Sequence, residues 1–338
     1  MQHLKTINEQ EIFYQKYHQK KQEKALQNFL KDYNKTDLMH KQIYIEELMI
    51  NGHKEFEKED VMWSKQEKDI EIRKYNRFMP QLIATHEFFE VICVLENQMQ
   101  LEIVEDKIDL KAGDVVLIPP DTIHKPIVME DTIAIQIMIR KSTFQKVFYN
   151  LLHGNNTISD FFVNALYVKG IKSILCFDGH QDKDILDCCI QLYQENYNQL
   201  PGNRVVINNL FEIFICFLFR LHSNKVKVNE VAQQYDSCII EILKYIHKHY
   251  DYITMMELAN RFNYSESYLS KYIKRKTGKS FSAIRQEIRM EKACEMLSNS
   301  NVYVEDIAMS VGYQNVEHFI RLFKKKHHKT PQQYRNSK

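Results

Sequence analysis

The spacing of apolar positions changes along this chain, and each change predicts a different architecture. Over roughly residues 1–60, Lys, Gln and Glu dominate and the aromatics are spread apart, which predicts helices with solvated faces. From about residue 71 to 140 the apolar residues come in short β-branched runs, at 88–95, 99–104, 115–118 and 133–139. Turn chemistry separates them: Glu96-Asn97, Glu105-Asp106, Ala112-Gly113-Asp114 and Pro119-Pro120-Asp121. Short strands at about ten-residue spacing predict an antiparallel barrel or sandwich. Beyond residue 142 the period lengthens to that of a helix, over 183–198 and 204–222, with the breaker Leu200-Pro201-Gly202 between them and one more strand at 174–177. A polar stretch, 223–235, reads as a linker, and the rest is helical. The expected fold class is α+β: a polar helical extension (1–70), a small antiparallel barrel domain (71–180), a helical segment (181–222), the linker, and an all-α domain (236–338).

The last hundred residues repeat themselves once. Ala259 and Ala308 correspond, as do Tyr264 and Tyr313. After one inserted residue, Leu269 matches Phe319, Ile273 matches Phe323, Ser280 matches Thr330 and Arg285 matches Arg335. Each copy has the grammar of a helix-turn-helix. A short helix carries a small residue where a second helix must approach. A tight turn follows, at Asn263 or Gly312, two residue types that tolerate a left-handed backbone. A longer helix comes next. In the first copy Ser265 is the expected N-cap, and Tyr268, Leu269, Tyr272 and Ile273 are expected to face the core; Phe319, Leu322 and Phe323 do so in the second.

Charge sharpens this picture once it is divided. Residues 236–338 hold 18 Lys+Arg against 11 Asp+Glu, a net +7, so with +2 overall the remainder carries −5. A basic third on an acidic body points to a polyanion-binding module. The faces opposite the apolar stripes carry Ser267, Ser270, Lys271 and Lys274 in one copy and Glu317, Ile320, Arg321 and Lys324 in the other. Such helices fit the major groove, where Lys and Arg reach guanine acceptors. The runs Lys274-Arg275-Lys276 and Lys324-Lys325-Lys326 suit phosphates. Between the units, residues 280–298 read as one helix of roughly 28 Å, near the ~34 Å repeat of duplex DNA. Successive major grooves on one side of a duplex are then within reach.

Other classes are disfavoured. The seven cysteines (Cys93, Cys176, Cys188, Cys189, Cys216, Cys238, Cys294) form no C-x-x-C pair, so reduced thiols of a cytoplasmic protein are expected, with no structural zinc. The N-terminus lacks the apolar core of a signal peptide. The most apolar run, 205–221, is interrupted by Asn208, Asn209 and Glu212 and reads as a buried helix rather than a membrane span.

The second repeat carries a family resemblance. Ile307-Ala308, Val311-Gly312-Tyr313, Phe319, Phe323-Lys324-Lys325, Thr330-Pro331 and Tyr334-Arg335 stand in the register of the AraC family of bacterial transcription regulators, which the C-terminal hundred residues resemble. The resemblance implies a seven-helix domain whose two helix-turn-helix units bind promoter DNA. It places Ser267, Ser270, Lys271, Glu317, Ile320 and Arg321 at base contacts, while Lys274, Lys276, Lys324 and Lys325 are expected on the DNA from the basic runs alone. One departure is His328, which stands where the first unit has Gly278.

The strand-rich segment resembles a cupin through His86-Glu87-Phe88-Phe89-Glu90, Gly113-Asp114-Val115 to Pro119, and His124. His86, Glu90 and His124 are the candidate effector-pocket residues. Two imidazoles and a carboxylate also suit a divalent ion, but Ala84 holds the place of the first histidine of the metal-binding pattern, so neither metal nor cofactor is expected. The helices at 183–198 and 204–222 offer apolar surface (Cys188, Leu192, Ile207, Leu210, Phe211, Phe214, Ile215, Leu218) either for burial within the monomer or for a homodimer. Two functional readings follow. One is a promoter-binding regulator working with RNA polymerase, with a small effector in the barrel and no membrane association. The other is a metal-dependent cupin enzyme with an accessory DNA-binding tail. A DNA-repair methyl acceptor is set aside, because the first cysteine is Cys93.

Overall fold

A computed structural model describes residues 2–48, 58–59, 63, 68–103, 106–149, 157–168, 174–179, 182–222, 226–228 and 236–336. The chain forms two compact units, Met1–Val147 with Ile171–Ala232, and Phe148–Gly170 with Gln233–Lys338.

The first unit is built on two antiparallel sheets. Its strands are β1 (Ile70–Lys74), β2 (Phe89–Glu96), β3 (Gln98–Ile103), β4 (Asp106–Lys111), β5 (Val115–Ile118), β6 (Lys125–Val128), β7 (Ile133–Ile139), β8 (Leu175–Phe177) and β9 (Val226–Val228). The large sheet runs β1-β7-β2-β5-β8-β9 and the small one β4-β3-β6. Ile92, Val94, Val116, Ile118 and Ala134 from the large sheet meet Met99, Leu101, Ile103 and Leu110 from the small one in a common core. Strands β2 and β5 are almost wholly buried, which is why they read as continuous apolar runs. The outer face of β2 adjoins a helix pair, α7 (Lys183–Asn198) and α8 (Asn203–His222). The free thiols of Cys93 on β2 and Cys189 on α7 share a hydrogen bond, and burial holds the Cys189 thiol well above its ordinary range. Asn196 on α7 donates to the Ile72 carbonyl at 2.7 Å, and Arg204 on α8 reaches Asp69 at 2.9 Å.

The N-terminal extension carries helices α1 (Gln2–Lys5), α2 (Glu9–Gln22), α3 (Leu26–Leu30) and α4 (Lys35–His40). It is more than the solvated helices expected of it. Phe13, Tyr14, Tyr17, Leu38, Ile43 and Ile45 form a small core of their own, with Phe78 and Met79 packed against it. Glu11, fully buried, is gripped by Lys74 at 2.8 Å and Arg77 at 2.9 Å. Burial disfavours its charge, but the Arg77 and Lys74 hydrogen bonds prevail and bring its pKa down to about 2. Aromatics spaced among lysines were thus one face of a docked cap, a pattern that only its partner surface reveals.

The second unit holds α6 (Thr157–Tyr167) and seven helices after residue 236: α9 (Ser237–Lys248), α10 (Met255–Arg261), α11 (Glu266–Thr277), α12 (Phe281–Asn299), α13 (Val304–Ser310), α14 (Val316–His327) and α15 (Pro331–Asn336). Another helix, α5 (Lys141–Tyr149), follows β7. Val163 and Tyr167 of α6 join the core made by Ile239, Ile242, Leu243 and Ile246 of α9, so this segment packs with the C-terminal helices and not with the barrel domain expected for it. Most of the expected linker, 223–235, lies outside the described residues; its described part, Val226–Val228, is a strand paired with β8.

The apolar residues offered by α7 and α8 are largely spent inside the first unit: Cys188, Leu192, Ile207, Phe211, Phe214, Ile215 and Leu218 are all buried. What α8 leaves exposed is Val205, Val206 and Ile213. Among the described residues no helix is long and apolar enough to cross a membrane. All seven cysteines are free.

Candidate functional site

The turns and the second helices of the two helix-turn-helix units are built by the same local devices. In the first, Thr254 and Glu257 form a capping box that starts α10. The turn places Asn263 at φ 58° and closes with Tyr264 N–H donating to the Ala259 carbonyl at 2.9 Å. Ser265 then caps α11 by accepting from the Tyr268 N–H, as its sequence position predicted. In the second, Gly312 takes φ 89°, Tyr313 N–H donates to the Ala308 carbonyl at 2.9 Å, and Asn315 caps α14. Both long helices end on a left-handed residue, Gly278 at φ 76° and His328 at φ 56°. His328 therefore adopts the conformation that glycine supplies in the first unit, and α14 ends as α11 does.

Each unit has its own core, and α12 serves both. Phe281, Ile284 and Ile288 join Leu258, Ala259, Leu269, Tyr272 and Ile273 of the first unit. Met290, Ala293, Cys294 and Leu297 join Ile307, Ala308, Val311, Phe319 and Phe323 of the second. The rod expected between the units is thus a single helix of 19 residues, about 28 Å long.

Of the expected DNA-facing residues, Ser267, Ser270, Lys271, Lys274, Glu317, Arg321, Lys324 and Lys325 are exposed. Two differ. Lys276 is half-buried and paired with Asp236 at 2.7 Å, where it braces the N-cap of α9. Ile320 is half-buried against the second core. Tyr268, expected in the core, is 49% exposed, because the third residue of α11 lies to the side of the stripe that Leu269, Tyr272 and Ile273 bury.

Arg289 went unnoticed in the sequence. It sits in the middle of α12, almost buried, and donates to the carbonyls of Tyr250 at 2.9 Å and Asp251 at 2.6 Å. Its guanidinium also stacks over Tyr313 at 5.2 Å. Its partner Arg285, one turn earlier, donates to the Ile253 carbonyl. Two arginines four apart on a rod otherwise facing two cores were the available signal.

A second candidate site lies in the first unit. His86, Glu90 and His124 converge: His86 Nε2 and His124 Nε2 lie 2.9 and 3.2 Å from the same Glu90 oxygen. Tyr75 donates to the other Glu90 oxygen at 2.6 Å. Burial penalises the Glu90 carboxylate, yet its hydrogen bonds with His124 and His86 outweigh this and hold it well below the usual range. Each Nδ1 faces a backbone carbonyl, Phe88 at 2.8 Å and Thr122 at 3.1 Å, and so carries a proton. Each Nε2 is then the nitrogen left to face the carboxylate. The three side chains could hold a divalent ion, their ligand atoms lying within 4.8 Å of one another. Ala84 is bridged to His124 through both backbone groups, which places the missing fourth side chain beside the cluster.

The cluster lines a cavity of about 240 Å³. Its walls come from β7 (Gln136), from the residues flanking β1 and β2 (Tyr75, Phe88), from α7 (Tyr193, Asn196) and from the N-terminal cap (Asn8, Gln10, Gln42, Tyr44). The extension whose role the sequence left blank is therefore part of this chamber.

Residues 258–337 match a family described as a helix-turn-helix domain. The uncharacterized HTH-type transcriptional regulator YtdP of Bacillus subtilis (strain 168) is 37% identical over 114 residues, 33% of this chain and 15% of YtdP. YobQ of the same organism, also an uncharacterized HTH-type transcriptional regulator, is 31% identical over 111 residues, 32% of this chain and 46% of YobQ. Among solved structures, the C-terminal domain of AraT, a response regulator from Geobacillus stearothermophilus, is 34% identical over 31% of this chain and 88% of that one, with a TM-score of 0.30. This chain spans less than half the length of both Bacillus relatives. The C-terminal part of the chain, with its twin capped turns, thus carries an AraC-type helix-turn-helix domain.

Proposed function

We propose that the protein is a sequence-specific DNA-binding transcription regulator that places α11 and α14 in successive major grooves. The observation that carries this reading is the pair of helices capped with the same geometry, each exposing a basic face and both anchored in the cores of one 19-residue rod. Ser267, Ser270 and Lys271, with Glu317 and Arg321, read bases; Lys274, Lys324 and Lys325 neutralise phosphates. A small effector in the barrel chamber biases DNA binding, a homodimer forms through the exposed α8 stripe of Val205, Val206 and Ile213, and RNA polymerase is the protein partner at the promoter. The test is binding of the full chain to DNA fragments from its own genome. Preferred fragments whose affinity falls steeply with salt support the reading, and equal affinity for every sequence refutes it.

A second reading, a metal-dependent cupin enzyme, is favoured by one observation, the two imidazole Nε2 atoms aimed at one carboxylate oxygen. Elemental analysis of the purified chain tests it. A preparation free of metal that binds DNA with full affinity removes this alternative.

A further inference from the structure

The misplaced tyrosine has a counterpart. Tyr268 and His318 are each the third residue of their helix, and the N-cap side chain holds the backbone N–H of both, Ser265 at 3.3 Å and Asn315 at 2.8 Å. Both are exposed. Each ring is propped by the tyrosine that closes the preceding turn: Tyr264 lies 5.0 Å from Tyr268, and Tyr313 lies 6.0 Å from His318. Tyr268 also stacks on Tyr272 at 6.0 Å. The hydroxyls at the ends of this ladder are engaged, Tyr272 with Asp236 at 2.7 Å and Tyr264 with Cys238 at 3.6 Å. The side chains of Tyr268 and His318, by contrast, make no hydrogen bond among the described residues, so each presents a ring donor to solvent from a braced position.

Helical geometry says where those donors point. At 100° per residue, Tyr268 lies about 60° around α11 from Lys271, and His318 the same about α14 from Arg321. That is the shoulder of the reading face, not its centre. A helix lying in a major groove presents its centre to base edges and its shoulder to the sugar-phosphate wall. Side chains near a helix start also lean back toward its N-terminus, where phosphates are favoured.

We infer that Tyr268 and His318 are equivalent backbone-contacting residues, which seat the two reading helices by donating a ring O–H and a ring N–H to one phosphate each. This rests on the DNA-binding reading above. It assigns one phosphate clamp to each unit at a side chain that carries no base information. Because the tyrosine is neutral, its contact adds affinity without adding to the salt dependence.

The experiment uses the full chain and a duplex selected by it from a random-sequence pool. Affinity and ethylation interference are measured for the unmodified chain, Tyr268→Phe and His318→Ala. Each variant is expected to bind about fivefold more weakly, to selected and unselected duplex alike, with unchanged base preference and unchanged melting temperature. Interference at one phosphate is lost in each, and the salt slope of Tyr268→Phe matches that of the unmodified chain. Unchanged affinity, or a changed base preference, overturns the inference while leaving the regulator reading intact. If the unmodified chain selects no sequence, both fall together.

Discussion

The guanidinium of Arg289 fills the space that any side chain at Gly312 would need. A Cβ built on Gly312 would stand 2.6 Å from a guanidinium nitrogen of Arg289 and 2.0 Å from the Asp251 carbonyl oxygen. The arginine needs that room because it holds the loop after α9 through the Tyr250 and Asp251 carbonyls. One side chain therefore ties the rod, the entry to the first helix-turn-helix and the turn of the second.

Gly312→Ala is expected to destabilise the C-terminal unit by about 3 kcal/mol or more, since it combines a left-handed backbone with a clash against rigid groups. Gly202→Ala is the control: its φ is +82° but nothing lies within 4 Å of the added carbon. That change costs about 1–2 kcal/mol. Denaturant unfolding of both variants makes the comparison, and equal costs refute the close-approach account.

On the proposed regulator reading, base reading and phosphate neutralisation should separate in the basic residues. Arg321→Ala is expected to cost about 1–3 kcal/mol on a selected duplex and to relax preference at one position. Lys324→Ala with Lys325→Ala weakens all duplexes alike and lowers the salt slope by about 2. Salt titrations on selected and random duplexes distinguish the two patterns.

His247 makes the C-terminal unit sensitive to mild acid. Burial, with a smaller contribution from nearby Lys292, brings its pKa down to about 4 from 6.5. Its folded form is therefore favoured neutral. The stability linked to it is complete above pH 6.5 and is lost as pH falls toward 4, by about 3 kcal/mol. His247→Phe should flatten that part of the pH–stability curve; an unchanged slope refutes the assignment.

The N-terminal cap responds in a lower window. Glu11 is held as a carboxylate with a pKa near 2, so its contribution is present above 4.5 and is lost as pH falls toward 2, about 3 kcal/mol in all. Glu11→Gln leaves Lys74 short of its ion pair and should expose the chamber, read as faster amide exchange over α2 at neutral pH. Exchange unchanged from the parent chain refutes the latch.

The chamber can be completed as a metal site. Ala84→His adds a third imidazole beside His124, and affinity for Zn²⁺ or Co²⁺ should rise at least as much as outer-sphere partners are worth, roughly 10–100-fold. Glu90→Gln in the same background should reverse the gain. Titration with Co²⁺ by visible absorption follows both.

The helix-turn-helix part was legible because its determinants are local. Caps, turn residues and a helical apolar period act within a few residues, and a duplication displays them twice, so Ser265, Asn263, Gly312 and the exposed Lys271 and Arg321 could be placed in advance. The buried strands β2, β5 and β7 were legible for a similar reason, as continuous apolar runs. Strand β4 (DKIDLK) was not, since half of it faces solvent and its polar side chains hide the period. What the linear order could not supply were relations between distant segments. Glu11 finds Lys74 and Arg77 across more than sixty positions, α6 leaves the barrel for the C-terminal core, and Tyr268 is turned outward by the position of its neighbours. Local backbone preference writes helices and turns into sequence, whereas the choice of which buried charge meets which partner is made only when the chain has closed on itself.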